Sequence, residues 1–220
     1  MKKITIAIAA IALCAIPAVS GATPPRPGAY VSGFLGVSAP LNTDATTYDN
    51  LGPPINDRVE FDPSINVGGT GGYDFGLIRL EGEISYKQGD IKTVTDRDTG
   101  VRFGNVDGDL GALAVMANAF FDLHNATPVT PYWGGGIGFA VLKLSDTFGN
   151  GGTPLYAESD DTVFAYQAGG GVEIAINRQF SLDLGYRYFG TSKATFNSTF
   201  QTTTLRYESH NGMVGFRVKF

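Results

Sequence analysis

Asn211-Gly212-Met213-Val214-Gly215-Phe216-Arg217-Val218-Lys219-Phe220 is the stretch from which the fold can be read. Positions 214, 216, 218 and 220 are apolar, while 211, 217 and 219 are polar or charged. Alternation with period two makes a β-strand with one oily and one wet face. Ten tilted residues suffice for such a strand to cross a bilayer as one stave of a barrel.

The opposite end of the chain fits an exported protein. Met1-Lys2-Lys3 is a basic head, Ile4 to Ile16 is apolar and uncharged, and Pro17-Ala18-Val19-Ser20-Gly21-Ala22 offers cleavage after Ser20 or after Ala22. This pattern predicts a cleaved signal peptide over residues 1–22 and a mature chain over 23–220, since the apolar run is too short to span a membrane well. Leu13 precedes Cys14 where a lipoprotein signal requires a small residue. Cys14 is the only cysteine, so the mature chain has neither disulfides nor thiolate metal sites. Loss of Lys2 and Lys3 leaves 14 basic against 21 acidic residues, a net charge of −7, which argues against a nucleic-acid partner. Mean hydropathy is near zero, as expected where alternate residues of each strand point to a polar lumen.

Seven further segments carry strand patterns. The first, Ala29–Ser38, sets Val31, Leu35 and Val37 against Ser32 and Ser38; the second, Ser64–Phe75, sets Ile65, Val67, Tyr73 and Phe75 against Asn66, Thr70 and Asp74. In Leu77–Lys87, Ile78, Leu80, Ile84 and Tyr86 alternate with Arg79, Glu81, Glu83, Ser85 and Lys87. Asp107–Leu123 is apolar on both faces; placing Leu113, Val115, Ala117, Ala119 and Phe121 outward keeps Asn118 and Asp122 off the lipid. Pro131–Ser145 directs Trp133, Ile137, Phe139 and Val141 outward, and Thr162–Ile176 directs Phe164, Tyr166, Val172, Ile174 and Ile176. Gln179–Phe189 directs Phe180, Leu182, Leu184, Tyr186 and Tyr188 outward, with Ser181, Asp183 and Arg187 inward. Links of about 25 residues (39–63), then a tight turn (74–77), then 88–106, a short link, 146–161, a turn at Asn177-Arg178 and 190–205 alternate long and short. The expected fold is therefore all-β: an eight-stranded antiparallel transmembrane β-barrel, an up-and-down meander with long outer loops and tight periplasmic turns. Tyr30, Trp133, Phe180, Phe216 and Phe220 are expected to supply the interfacial aromatic girdle.

Leu77-Ile78-Arg79-Leu80-Glu81-Gly82-Glu83, Met116-Ala117-Asn118-Ala119-Phe120-Phe121-Asp122 and Pro131-Tyr132-Trp133-Gly134-Gly135-Gly136-Ile137-Gly138, with the terminal aromatic, resemble the small outer-membrane β-barrel domain family. This is the OmpA/OmpW/OmpX-like group, which includes porin-family surface antigens of α-proteobacteria. The resemblance covers residues 23–220 and implies residence in the outer membrane of a Gram-negative bacterium. The ending is similar to the signal read by the outer-membrane assembly machinery, which points to Phe216, Val218 and Phe220. Implied partners are outer-membrane lipid, lipopolysaccharide and that machinery, with host or environmental ligands at the loops. The function expected is structural and antigenic, without catalysis; the alternative is a small porin-like channel for ions or small solutes.

The inward face collects Asp74, Arg79, Glu81, Glu83, Lys87, Asp122, Glu173, Asp183, Arg187, Arg217 and Lys219, five basic and six acidic side chains. Eight strands enclose a lumen that side chains just fill, and buried charges persist when paired. The near balance fits a packed polar plug, while inward glycines keep a narrow water path open as the alternative; Arg79, Glu81, Glu83 and Arg187 are central to either. No cofactor is expected. The glycine runs 68–72, 134–136 and 169–171 lack a phosphate-loop lysine and are read as strand bends or space for neighbours. Ser209 and His210 are adjacent on a strand and so point to opposite faces, and His124 falls in a turn. Asp146, Glu158, Asp160 and Asp161 read as a solvated acidic loop without a basic residue, or as hard oxygen ligands for a divalent cation, although no calcium-loop motif is present. Phe196 and Phe200 are expected on a mobile loop, touching a partner or the membrane interface.

Overall fold

The computed structural model describes residues 27–49, 52–149, 151–199 and 201–220; the expected signal peptide and Phe200 lie outside them. Eight long strands form the wall: β1 (Gly28–Pro40), β2 (Ser64–Asp74), β3 (Ile78–Asp96), β4 (Asp109–Asp122), β5 (Val129–Leu144), β6 (Ser159–Ala175), β7 (Phe180–Thr191) and β8 (Glu208–Lys219). Each pairs antiparallel with its neighbours in sequence. β8 returns to β1 in register from Tyr30↔Lys219 to Pro40↔Ser209, which closes the ring. A closed ring leaves no unpaired edge, the condition for strands to stand in hydrocarbon.

Strand parity follows the alternation in sequence. Leu35, Ile65, Ile84, Val115, Phe139, Phe164, Leu182 and Val214 are exposed around the outer wall. Trp133, Phe180, Phe216 and Phe220 also face outward. Tyr30 does not join them: it is 2% exposed. It shares parity with Ser32 and Phe34, and its hydroxyl donates to Glu81 Oε2 at 2.6 Å inside the barrel. The three short links are closed by side-chain oxygens. Asp74 accepts from the Gly76 amide (2.8 Å), Asn125 from the Thr127 amide (2.7 Å) and Asn177 from the Gln179 and Phe180 amides (2.8 and 2.9 Å), as Asx turns do.

At the other end the expected loops are largely strand. Thr43–Asp49 and Ile55–Phe61 form a hairpin, as do Ala194–Asn197 and Gln201–Leu205. The rim sheet runs Ala194–Asn197, Gln201–Leu205, Thr43–Asp49, Ile55–Phe61 and then the outer half of β3, with Arg102–Gly104 on the far side of β3. Threonine and valine favour this pleated surface, and Thr47 and Thr203 meet across it through their hydroxyls at 3.0 Å. Asp160 and Asp161 lie in β6, not in a loop. Phe196 is 2% exposed and packs in the core rather than standing on the surface.

The interior is divided along its axis. Near the short turns it is charged. Near the rim it is an apolar core of Val59, Val94, Leu142, Leu144, Phe189 and Tyr207 with the inner face of β4. Leu110, Ala112, Ala114 and Met116 supply that face, which accounts for the apolarity of β4 on both sides. Gly138 stands against β4 where a Cβ would meet the Val115 carbonyl oxygen at 2.0 Å and Met116 Cα at 2.8 Å, whereas a Cβ at Gly212 would meet nothing within 4 Å. Gly138→Val should therefore cost on the order of 1–3 kcal/mol or block closure, with Gly212→Ala near neutral. Urea unfolding of the refolded protein in lipid vesicles reads both.

Candidate functional site: the closed interior and the rim

Every strand but β1 and β5 brings at least one charged side chain to the lower interior, and those two bring the hydroxyl donors Tyr30 and Tyr132. Lys219 of β8 lies 3.2 Å from Asp74 of β2 and 3.0 Å from Glu173 of β6. Arg217 pairs with Glu173 and, at 3.2 Å, with Asp183. Arg79 is 3.2 Å from Asp122 and 3.9 Å from Glu81, with its guanidinium 4.7 Å from the Tyr132 ring centre and 5.0 Å from that of Phe120. Tyr132 donates its hydroxyl proton to Asp183 at 2.6 Å.

One layer higher, Arg187 reaches across the lumen to Glu83 and, at 3.2 Å, to Glu81. Asn118 Nδ2 donates to Glu83 (3.1 Å), and Gln167 Nε2 donates to Glu83 and to Asn118 Oδ1 (2.9 and 2.8 Å). Lys87 ends the polar stack: its ammonium donates to Ser85 Oγ at 2.8 Å and stands 4.3 Å from the Phe189 ring centre. Arg79, Glu81, Glu83, Lys87, Glu173, Asp183, Arg187 and Arg217 are all buried. The structure adds four donors that the sequence reading did not place in the network, Tyr30, Tyr132, Asn118 and Gln167; their inward parity was the available signal. The space left among Glu81, Arg187 and Arg217 is about 10 Å³, on the order of one water.

The rim has its own polar chemistry. Tyr156 donates to Asp57 Oδ2 at 2.9 Å inside the rim core; burial pushes the Asp57 carboxyl up, outweighing that hydrogen bond, and pushes the Tyr156 hydroxyl up as well. Lys143 of β5 lies 2.8 Å from Glu158, so the acidic loop does have a basic neighbour. Asp146 accepts from the Glu158 amide and Asp161 from the Thr195 amide. Among the described residues no group of three or more His, Cys, Asp or Glu is arranged to hold a metal. Ser209 points inward toward Asn211, and His210 points outward with Nδ1 2.7 Å from the Tyr186 hydroxyl, so the two are on separate faces. His124 is exposed in the β4–β5 turn.

A closed eight-strand ring with an oily outer wall and a charged lumen is the architecture of an outer-membrane barrel, and residues 6–220 match the model for the outer membrane protein beta-barrel domain. The chain belongs to this family. It is 28% identical over 210 residues to outer membrane protein PagN of Salmonella typhimurium, covering 84% of this chain and 85% of that protein. The fold is similar to that of outer membrane protein OprG from Pseudomonas aeruginosa (TM-score 0.64, 13% identity, 89% of this chain and 97% of that one). It is also similar to that of Neisserial surface protein A (TM-score 0.51, 21% identity, 88% and 97%). The protein is an outer-membrane β-barrel of a Gram-negative bacterium.

Truncating one member of a buried pair leaves the other charge uncompensated, at roughly 3–5 kcal/mol. Arg187→Ala, which removes the ion-pair partner of Glu83 and one of the two of Glu81, should show a loss of that size in urea unfolding. A loss below about 1 kcal/mol, the scale of a surface pair, would mean that the network contributes little.

Proposed function

We propose that the protein is a non-enzymatic surface scaffold: a plugged barrel that anchors an ordered extracellular rim, whose outer face engages partners beyond the cell. The observation that carries this reading is that the lumen is filled twice over, by an ion-paired layer and by an apolar core. An aqueous path would have to disrupt both. Two layers of opposite polarity weigh against the small porin-like channel, and the separation of Ser209 from His210 weighs against hydrolysis. Lipid and lipopolysaccharide surround the oily wall in this reading, and host or environmental ligands meet the rim. In a planar bilayer the folded mature protein should stay electrically silent; steady openings that scale with salt would favour the channel instead.

Residues 1–22 act as the export signal in the same reading, and Phe216, Val218 and Phe220 as the assembly signal. Phe216 stacks on Phe180 with ring centres 5.5 Å apart. Phe220 projects outward while its amide donates to Ala29 O at 2.9 Å. The Phe220 side chain thus packs little, which suits a feature read during assembly rather than one that stabilises the product. Phe220→Ala should lower the amount of folded protein in the outer membrane of cells several-fold and leave refolding into detergent unchanged. Equal defects in both would make Phe220 a stability residue.

A further inference from the structure

Seven described basic residues lie on the extracellular rim, and they divide into two groups. Lys92, Arg97, Arg102 and Lys143 are held by Asp62, Asp44, Glu60 and Glu158 at 2.6, 2.7, 3.5 and 2.8 Å. Among the described residues, no carboxylate lies within 4.0 Å of Arg58, Lys193 or Arg206. These three come from three different parts of the chain, and all line one open cleft of about 320 Å³. Two acids share the cleft: Asp44 is already engaged by Arg97, and Glu208 lies beside the Tyr188 hydroxyl. The cleft therefore carries a surplus of positive charge with its donors free.

Its height on the barrel narrows the ligand. Arg206 and Glu208 continue the outward parity of β8 beyond His210, and below His210 the same face is Val214 and Phe216. His210 sits among outward aromatics, its ring centre 6.0 Å from Tyr186 and 5.6 Å from Tyr188, and Tyr188 lies 6.3 Å from Tyr166. Amphipathic rings of this kind mark the membrane–water interface. Four residues further along the strand direction, at about 3.3 Å each and with the usual tilt, is about 10 Å above that level, at the upper edge of the headgroup layer.

We propose that the Arg58–Lys193–Arg206 cleft binds the phosphate groups of a phosphorylated lipid of the outer leaflet. Guanidinium and ammonium donors match phosphate oxygens, and the acyl chains of such a lipid would lie on the oily wall directly below. This rests on the scaffold reading only for which end faces outward, and heat-dependent migration on gels reports the barrel fold separately from lipid binding.

The test is native mass spectrometry of the mature protein from phosphatidylcholine nanodiscs titrated with bisphosphorylated lipid A. Wild type should retain the lipid. The Arg58→Gln/Lys193→Gln/Arg206→Gln variant should bind on the order of a hundredfold more weakly, about fivefold per cation removed. Lys92→Gln/Arg102→Gln, which removes paired cations, should bind like wild type, and dephosphorylated lipid A should not be retained. If the triple variant does not fold, Arg206→Gln alone should bind about fivefold more weakly. Equal retention by the triple variant, equal retention of the dephosphorylated lipid, or a match to lipid A by free inorganic pyrophosphate would each overturn the proposal, the last by assigning the cleft to a soluble anion.

Discussion

The hydrogen-bonded seam between the first and last strands is the constraint on which everything else depends. A β-strand in hydrocarbon cannot leave its amides and carbonyls unpaired, because no water is present to satisfy them. Eleven residue pairs join β1 to β8, and with them the sheet has no edge. Strand tilt, lumen width and the inward glycines are consequences of closing a ring of only eight strands. Gly138 and its like are small because the ring is narrow and their neighbours come too near for a side chain.

Once closed, the barrel has two interior solvents to choose between, and it uses both. The lower lumen is filled with charge that is compensated across the cavity, and the upper lumen with aliphatic and aromatic packing. Lys87 lies at the boundary, with its ammonium turned to Ser85 and an aromatic face above it. The apolar core is also what holds the rim sheet in place, since Val59, Phe61 and Ala45 of the first rim hairpin belong to it. The rim strands are thereby an upward continuation of the wall rather than loops tied to its top.

The barrel was legible because period two is a strong signal wherever one face meets lipid. Ile78 to Lys87 and Asn211 to Phe220 could be assigned residue by residue, and the inward charges followed from parity alone. Tyr30 was misplaced because an aromatic near a strand end satisfies either face in composition; only its shared parity with Ser32 distinguishes them. The rim strands were less legible. Thr43–Asp49 and Gln201–Leu205 are rich in threonine and lie among turn residues, and their partners are far away in sequence. The division of the lumen was hidden for a related reason: inward apolar residues of β4 look the same as outward ones until neighbouring strands supply their surroundings. Which rim cations remain unpaired is a property of folded distances and has no signature in the chain.

The cross-lumen pairs give the seam a temporal meaning. Arg187 of β7 is tied to Glu81 and Glu83 of β3, and Lys219 of β8 to Asp74 of β2. Each of these ties joins strands on opposite sides of the β1–β8 junction. Parting that junction would pull the pairs apart along with the backbone hydrogen bonds, all within a medium that solvates neither. Opening then has no cheap first step, and the unfolding barrier rises even where equilibrium stability is ordinary. A barrel built this way persists by the slowness of its opening, so its lifetime in the membrane is governed by the same charges that fill its lumen.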